Sequence, residues 1–336
     1  MEKRIFASKR HMLPVPPSSA PDKLAATFNP PLRINTRCCK VLPLAHLVLA
    51  FMLIISSAWV VGCTPAQPGS ITPISNKTIE NKGSDTLVNL ALAWAEAYMA
   101  LHPEVSISVT GGGSGTGLTG MLNGTVDIAN ASRSIKAEEL TQAGKQGLAP
   151  VEFTVARDAI AVVVNPHNPV NRLTLQQLSD IYTGKYTNWK QVGGDDRPIV
   201  LLSRESNSGT YTYFLENVVR LGDTKSTLLF AADTLLMPSS EGISEEIRQN
   251  PNALGYDGLG YVTSDQKVIA IARDDANRYV LPSVATVNDG SYPIARALYM
   301  YTPNQPSGET KAYIDWILSE GQNLIAKLGF VPLKPN

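Results

Sequence analysis

Two hydroxyl-and-glycine turns carry the residues best suited to chemistry: Gly111-Gly112-Gly113-Ser114-Gly115-Thr116-Gly117 and Arg204-Glu205-Ser206-Asn207-Ser208-Gly209-Thr210. Each follows an apolar, strand-like run, Val105 to Thr110 and Pro198 to Ser203, and each precedes a helix-like run. Backbone N–H groups, hydroxyls and a helix N-terminus converge on one anion in such an arrangement. The second turn adds Arg204, whose planar fork suits the oxygens of a tetrahedral oxyanion. Taken singly, either turn is also an ordinary strand-to-helix connection, where Gly supplies positive φ and Ser an N-cap.

Other chemistries fit less well. Gly115-Thr116-Gly117-Leu118-Thr119-Gly120 satisfies the spacing of a dinucleotide fingerprint. The acid that should close the next strand is absent, however, because Asp127 opens that strand and its far end reads Ala131-Ser132-Arg133. No Gly-Lys-Ser/Thr follows a glycine-rich turn, which excludes a P-loop. Around Ser114 the last position of a nucleophile elbow is Thr116 instead of glycine. His102 and His167 read as loop residues, and the pairs Glu138-Glu139, Glu245-Glu246 and Asp274-Asp275 as solvated carboxylates. No His/Cys cluster at ligand spacing points to a metal, and no motif calls for a cofactor or forces catalysis.

The elements that must position the two turns alternate along the chain. A strand-like opening from Thr78 to Gly83 leads to a helix Leu87 to Leu101, a strand Val105 to Thr110, a helix Leu118 to Asn123 and a strand Val126 to Ala129. This βαβαβ rhythm predicts a mostly parallel sheet covered by helices. Leu87, Leu90, Ala91, Trp94, Tyr98 and Leu101 share one face of the first helix, so Trp94 and Tyr98 read as core. A second block opens with the apolar run Ala159 to Val164, of the kind buried on both faces of a sheet. It continues through a helix Thr174 to Tyr182, the strand Pro198 to Ser203, helices from Tyr211 to Arg220 and Glu241 to Gln249, and a strand Gly255 to Val262. A strand Tyr292 to Tyr301 and a helix Thr310 to Lys327 close the chain.

The 336 residues are 43% hydrophobic and 17% charged, enough globular material for two domains. The zero net charge divides unevenly: residues 1–62 hold eight Lys/Arg against two Asp/Glu, which leaves six negative charges in excess on the remainder and argues against nucleic acid. Arg33, Arg37 and Lys40 precede an apolar run from Val41 to Val61, the pattern of an export signal. Val60-Val61-Gly62-Cys63 resembles a bacterial lipobox, so Cys63 is the expected lipidation site and first mature residue, with an uncleaved spanning helix as the alternative. Residues 63–77 read as a flexible tether, and the rest lies outside the cytoplasm on either outcome. With Cys38 and Cys39 ahead of the apolar run, the folded part has no disulfide framework.

From Thr78 onward the chain resembles the phosphate-binding proteins that feed the high-affinity phosphate ABC importer. The resemblance rests on Gly83-Ser84-Asp85-Thr86, the Gly111 to Gly117 turn, Val126-Asp127-Ile128-Ala129 with Ala131-Ser132-Arg133, and Leu178 to Gly184 leading to Asn188-Trp189. It continues through Arg204 to Thr210, Gly255-Tyr256 and Tyr292-Pro293. It implies an α/β fold of the type II periplasmic-binding-protein kind, with two lobes, each a mostly parallel sheet flanked by helices, joined by two crossing strands near Phe153–Asn165 and Tyr292–Tyr301. Residues 78–157 with 295–336 would form lobe I and 158–294 lobe II. The implied phosphate ligands are Ser84, Asp85 and Thr86, then Ser114, then Arg204, Ser208, Gly209 and Thr210. The implied protein is a monomer and not an enzyme; its partners are inorganic phosphate and the importer's permease subunits, with sulfate or molybdate as alternative ligands and sensing as an alternative role.

Two departures modify the pattern. Well-studied members place a carboxylate after the second strand to accept the proton of hydrogen phosphate; here that neighbourhood is Ser132-Arg133. Members also carry an acid two residues after the cradle arginine, and here it is Ser206, which predicts a less firmly oriented Arg204. The expectation is that Asp85 takes over the proton-accepting role and Arg133 serves as a second cation. The alternatives are that Asp85 caps the following helix and that Arg133 lies on the surface.

Overall fold

A computed structural model describes residues 78–333. The segments read as an export signal and a tether, and the expected lipidation site Cys63, lie outside the described residues. Three βα units open the fold: β1 (Thr78–Gly83), α1 (Asp85–Leu101), β2 (Ser106–Thr110), α2 (Ser114–Leu122), β3 (Ile128–Ala131) and α3 (Ala137–Lys145). The long β4 (Val151–Val164) leads to β5 (Arg172–Thr174), α4 (Leu175–Tyr182), β6 (Val200–Arg204), α5 (Gly209–Phe214), β7 (Leu235–Met237), α6 (Ser240–Gln249) and β8 (Ala253–Gly258). The chain ends with β9 (Lys267–Val268), β10 (Ala270–Ala272), α7 (Val284–Asn288), β11 (Ala295–Thr302), α8 (Gly308–Leu318) and α9 (Gln322–Ile325).

The main sheet runs β2-β1-β3-β11-β4-β8-β6-β7, with β9 added on β4, and β5 and β10 pair separately. β1 is parallel to both β2 and β3, and β6 is parallel to both β7 and β8. Between these parallel halves lie β4 and β11, antiparallel to each other, with Arg296 opposite Asp158. This is the α/β architecture expected from the sequence, a curled mixed sheet flanked by helices, with β4 and β11, at the positions expected for the crossing strands, between its two parallel halves.

The cores divide along the crossing strands. Val155 and Ala156 pack with Ile79, Leu87, Trp94 and Leu298, whereas Ala159 and Ile160 pack with Leu178, Tyr182, Phe214 and Ile294. Trp94 is fully buried, and its indole N–H donates to the Gly321 carbonyl at 2.8 Å. In the second core Phe214 stacks on Tyr256 with centroids 3.6 Å apart, and the Tyr256 hydroxyl meets Ser203 Oγ at 2.6 Å, fixing β6 against β8 just before Arg204.

Several boundaries differ from the sequence reading, with physical causes. The second helix begins at Ser114, inside the glycine run, because Gly112 and Gly113 hold positive φ and helical geometry starts directly after them. The strand read from Gly255 starts at Ala253 and yields at Gly258 to a 3-10 turn, Leu259–Tyr261. The closing helix is two, α8 and α9, because Ser319 leaves helical geometry with ψ −97°. α3, α7 and the short strands β5, β7, β9 and β10 carry too few periodic residues to be read from pattern alone.

Candidate functional site

Three of the parallel strands end in the same neighbourhood, and each hands its chain to a helix that starts there. β1 ends at Ser84 and α1, β2 at Gly111–Gly113 and α2, and β6 at the Glu205–Ser208 turn and α5. Open α/β sheets bind ligands in the crevice at such strand ends, where first-turn N–H groups have no partner within the helix. Ser84 is the N-cap of α1, and its buried hydroxyl has no hydrogen-bond partner among the described residues. Asp85 is therefore the first helical residue and not the cap. Ser208 caps α5, accepting from the N–H groups of Thr210 and Tyr211 at 3.1 and 3.4 Å, which leaves its hydroxyl proton to donate outward.

The hydroxyls from different helices meet. Thr86 Oγ1 lies 2.8 Å from Thr210 Oγ1, so the helix starts of α1 and α5 touch through their threonines. Ser114 Oγ accepts the Ser132 N–H at 3.0 Å and lies 3.3 Å from Ser132 Oγ. Gly209 packs against both serine hydroxyls so closely that any Cβ there would strike Ser114 Oγ and Ser132 Oγ. Between the two turns the Gly115 N–H donates to the Asn207 carbonyl at 3.0 Å, and Asn207 Nδ2 donates to the Gly112 carbonyl at 2.9 Å. Gly113, at φ +91°, has its missing Cβ only 2.9 Å from the Asn207 carbonyl oxygen, so this approach requires glycine.

Arg204 and Arg296 are the buried arginines among the described residues. Arg204 pairs with Asp85 Oδ2 and also donates to the Met237 and Pro238 carbonyls at 3.3 and 3.0 Å and to Ser240 Oγ at 3.0 Å. The looser orientation expected from Ser206 is thus corrected: an acid from another helix holds the guanidinium. The other oxygen of Asp85 accepts the Gly112 N–H at 3.2 Å, and the Asp85 carbonyl accepts the Tyr261 hydroxyl at 2.6 Å.

Arg296 was missed in the sequence, though a charge inside the apolar run Ile294-Ala295-Arg296-Ala297-Leu298 was a readable signal. Its guanidinium donates to Asp158 Oδ2 at 3.0 Å, Thr210 Oγ1 at 2.9 Å, Thr86 Oγ1 at 3.3 Å and the Ser132 carbonyl at 3.0 Å. One cation on β11 therefore ties together the starts of α1 and α5. Asp158 is fully buried; burial pushes its carboxyl above the usual range, against the opposing pull of Arg296. Asp257, also missed, is buried beside them, and Ser240 Oγ donates to its Oδ1 at 2.8 Å. Burial raises the Asp257 carboxyl to about 7, despite the nearby Arg204 charge.

Arg133 is placed differently. Its guanidinium forks onto Glu139 at 2.7 and 2.8 Å and donates to the Ser134 carbonyl, although its neighbour Ser132 belongs to the cluster. Burial, the largest single influence, pushes the Glu139 carboxyl up, but the Arg133 bond, the Lys136 N–H and the charges of Arg133 and Lys136 together hold the group below its ordinary value. The reading of Glu138-Glu139 as solvated carboxylates is therefore corrected for Glu139. His102 and His167 stay outside the cluster: His102 stacks on Tyr98 at the end of α1, and His167 is bonded to Asn165.

A family model for a PBP superfamily domain matches residues 69–321. The chain belongs to the PBP superfamily. Within it, the chain is 34% identical over 274 residues to the phosphate-binding protein PstS of Pseudomonas aeruginosa, covering 76% of this chain and 83% of that one. It is 33% identical over 253 residues to PstS of Bacillus subtilis, covering 75% and 79%. Among solved structures, a putative phosphate ABC transporter substrate-binding protein from Clostridium perfringens with bound phosphate superposes with a TM-score of 0.68 at 34% identity, covering 76% of this chain and all of that one. The PBP fold thus agrees with the two parallel halves and crossing strands.

Proposed function

We propose that this PBP-superfamily chain is an extracytoplasmic solute-binding protein that captures inorganic phosphate between its lobes and delivers it to an ABC importer, without catalysing a reaction. The observation that carries this reading is the meeting of Thr86, Thr210, Ser114, Ser132 and Gly209 around Arg296, next to a second buried arginine, Arg204. Thr86 and Thr210 each accept from Arg296, and only one of the two can donate to the other. The remaining hydroxyl proton, with those of Ser84 and Ser208, is available to an oxyanion. First-turn N–H groups at Asp85, Thr86, Ser114 and Gly209 add donors without net charge.

In this reading the ligands are Ser84, Asp85, Thr86, Ser114, Arg204, Ser208, Gly209 and Thr210, and Arg296 fills the role of second cation that Arg133 gives to Glu139. Asp85 accepts the proton of hydrogen phosphate and repels a proton-free dianion such as sulfate. Residues 78–157 with 295–336 move as one lobe against 158–294, and the anion's contacts to both stabilise the closed form. Lipidation at Cys63 anchors the monomer outside the cytoplasm, where its permease partners lie. The likeness to PstS proteins and to a phosphate-bound structure supports the choice of ligand.

The test is calorimetric titration of the protein, dialysed free of anion, with phosphate and then sulfate at pH 7. Tight phosphate binding with sulfate ignored is the expected result. Sulfate or molybdate binding without phosphate binding would reassign the ligand, and no heat from any oxyanion would overturn the binding reading.

A further inference from the structure

The charges gathered at the cleft do not balance. Arg204 and Arg296 face three carboxylates, Asp85, Asp158 and Asp257, so with all three ionised the cluster carries one negative charge in excess before any anion arrives. An oxyanion entering this site adds to that excess in surroundings where water cannot screen it. The three carboxylates differ in how well their charge is compensated. Asp85 holds a direct ion pair and a backbone N–H, and its side chain keeps 15% of its surface exposed. Asp158 has two guanidinium bonds from Arg296 and the Leu259 N–H at 3.2 Å. Asp257 has no direct cation: its Oδ1 accepts from Ser240 Oγ and the Gly258 N–H, each at 2.8 Å. Its buried Oδ2 has no hydrogen-bond partner among the described residues.

Asp257 is nonetheless wired to the anion site. Arg204 Nη1 donates to Ser240 Oγ, and Ser240 Oγ donates in turn to Asp257 Oδ1. The groups facing Asp257 are Arg204 from β6, Asp158 from β4 with Arg296 behind it, Ser240 from α6, and Tyr261 from the turn after β8, which also feels the charge of Glu241, with Asp85 reached through Arg204. Arg204 is therefore the principal positive charge that keeps Asp257 ionised. An anion that takes up the field of Arg204 withdraws that support and brings a like charge closer.

We propose that oxyanion capture at Arg204 is coupled to uptake of a proton by Asp257. The inference rests on the phosphate-binding reading and deepens it. On binding, a proton from solvent adds to the Asp257 carboxylate, giving the neutral acid, and the cluster's charge changes by one unit less than the anion alone would impose. The raised position of this carboxyl means that the ligand-free protein exchanges the proton near neutral pH. Linkage fixes the sign: if the bound state holds more protons, affinity falls as pH rises above about 7, by up to about tenfold per pH unit while a full proton is taken up. Asp257 acts through Ser240 and Arg204 and is a positioning residue.

The experiment is titration with inorganic phosphate at pH 8 in two buffers of different ionisation enthalpy, repeated at pH 9 and with Asp257→Asn and Asp257→Ser. Phosphate stays a dianion over this range, so its own second ionisation contributes little. The wild type is expected to take up between about half and one proton and to lose roughly three- to tenfold in affinity from pH 8 to pH 9. Both variants are expected to take up almost none, to show a flat profile and to bind more tightly than the wild type at pH 9. Zero uptake by the wild type overturns the proposal whatever the variants do, as does equal uptake in wild type and a folded variant. No phosphate heat in the wild type at any pH overturns the phosphate-binding reading as well.

Discussion

Among the described residues, two arginine–aspartate pairs built on a buried arginine look alike chemically and are built differently. Arg296 and Asp158 sit opposite each other on the two crossing strands, with side chains only 3% and 0% exposed. Arg204 and Asp85 come from the end of β6 and the start of α1, and the Asp85 side chain keeps 15% of its surface in contact with solvent. The first pair is fixed by strand register and holds in place the hydroxyls of Thr86 and Thr210. The second spans two elements that belong to opposite lobes in the reading given above, so separating the lobes breaks it. A buried pair loses most when one partner is left without the other, whereas a partner that reaches water recovers much of its solvation. One pair should therefore act as a fixed frame and the other as an exchangeable contact.

The largest effect that could break this comparison is on folding. Arg296→Met leaves Asp158 charged and sealed, and is expected to destabilise the ligand-free protein by about 3–5 kcal/mol, read from urea unfolding. Adding Asp158→Asn should recover a large part of that loss without restoring anion binding. A single variant as stable as the wild type would show that the crossing-strand pair is no frame. Arg204→Met should behave in the opposite way. Because Asp85 can turn to water and Asp257 can take up a proton, the ligand-free protein should lose only about 1–3 kcal/mol, from the Met237, Pro238 and Ser240 acceptors left without their donor, while phosphate affinity falls roughly a hundredfold with the loss of a charge-assisted donor. Equal stability losses for the two arginines would erase the distinction.

The uneven legibility of these pairs has a physical origin. The α/β alternation and the anion-suited turns follow from local pattern, since glycine runs, hydroxyls and apolar periodicity are short-range properties. Thr86, Ser114, Ser208 and Thr210 could be singled out because they stand at helix starts that the chain encodes locally. Arg296, Asp158 and Asp257 were passed over because their meaning depends on strands far apart in sequence: β11 must lie on β4 for Arg296 to face Asp158. Their one local signal was a charge within an otherwise buried strand. Arg133 shows the limit of local reading from the other side: it stands beside Ser132, and only the helix carrying Glu139 reveals the carboxylate that its guanidinium pairs with.

The smallest effect sharpens the role of the exchangeable pair. Asp85 bonds both Arg204 and the Gly112 N–H, which are donors that an incoming oxyanion would also use. A proton-free dianion gains nothing from this carboxylate and is repelled by it, whereas a protonated oxyanion can donate to it. Asp85→Asn removes the repulsion and leaves a side chain of the same shape that can still accept from Gly112. Sulfate affinity should then rise by roughly tenfold, about 1.4 kcal/mol, and the preference for phosphate should narrow. The measurement is competition between the two anions at pH 7 and again at pH 5.5, where more phosphate carries a second proton. If Asp85→Asn lowers phosphate and sulfate affinity alike, the carboxylate only orients Arg204, and both pairs belong to the frame.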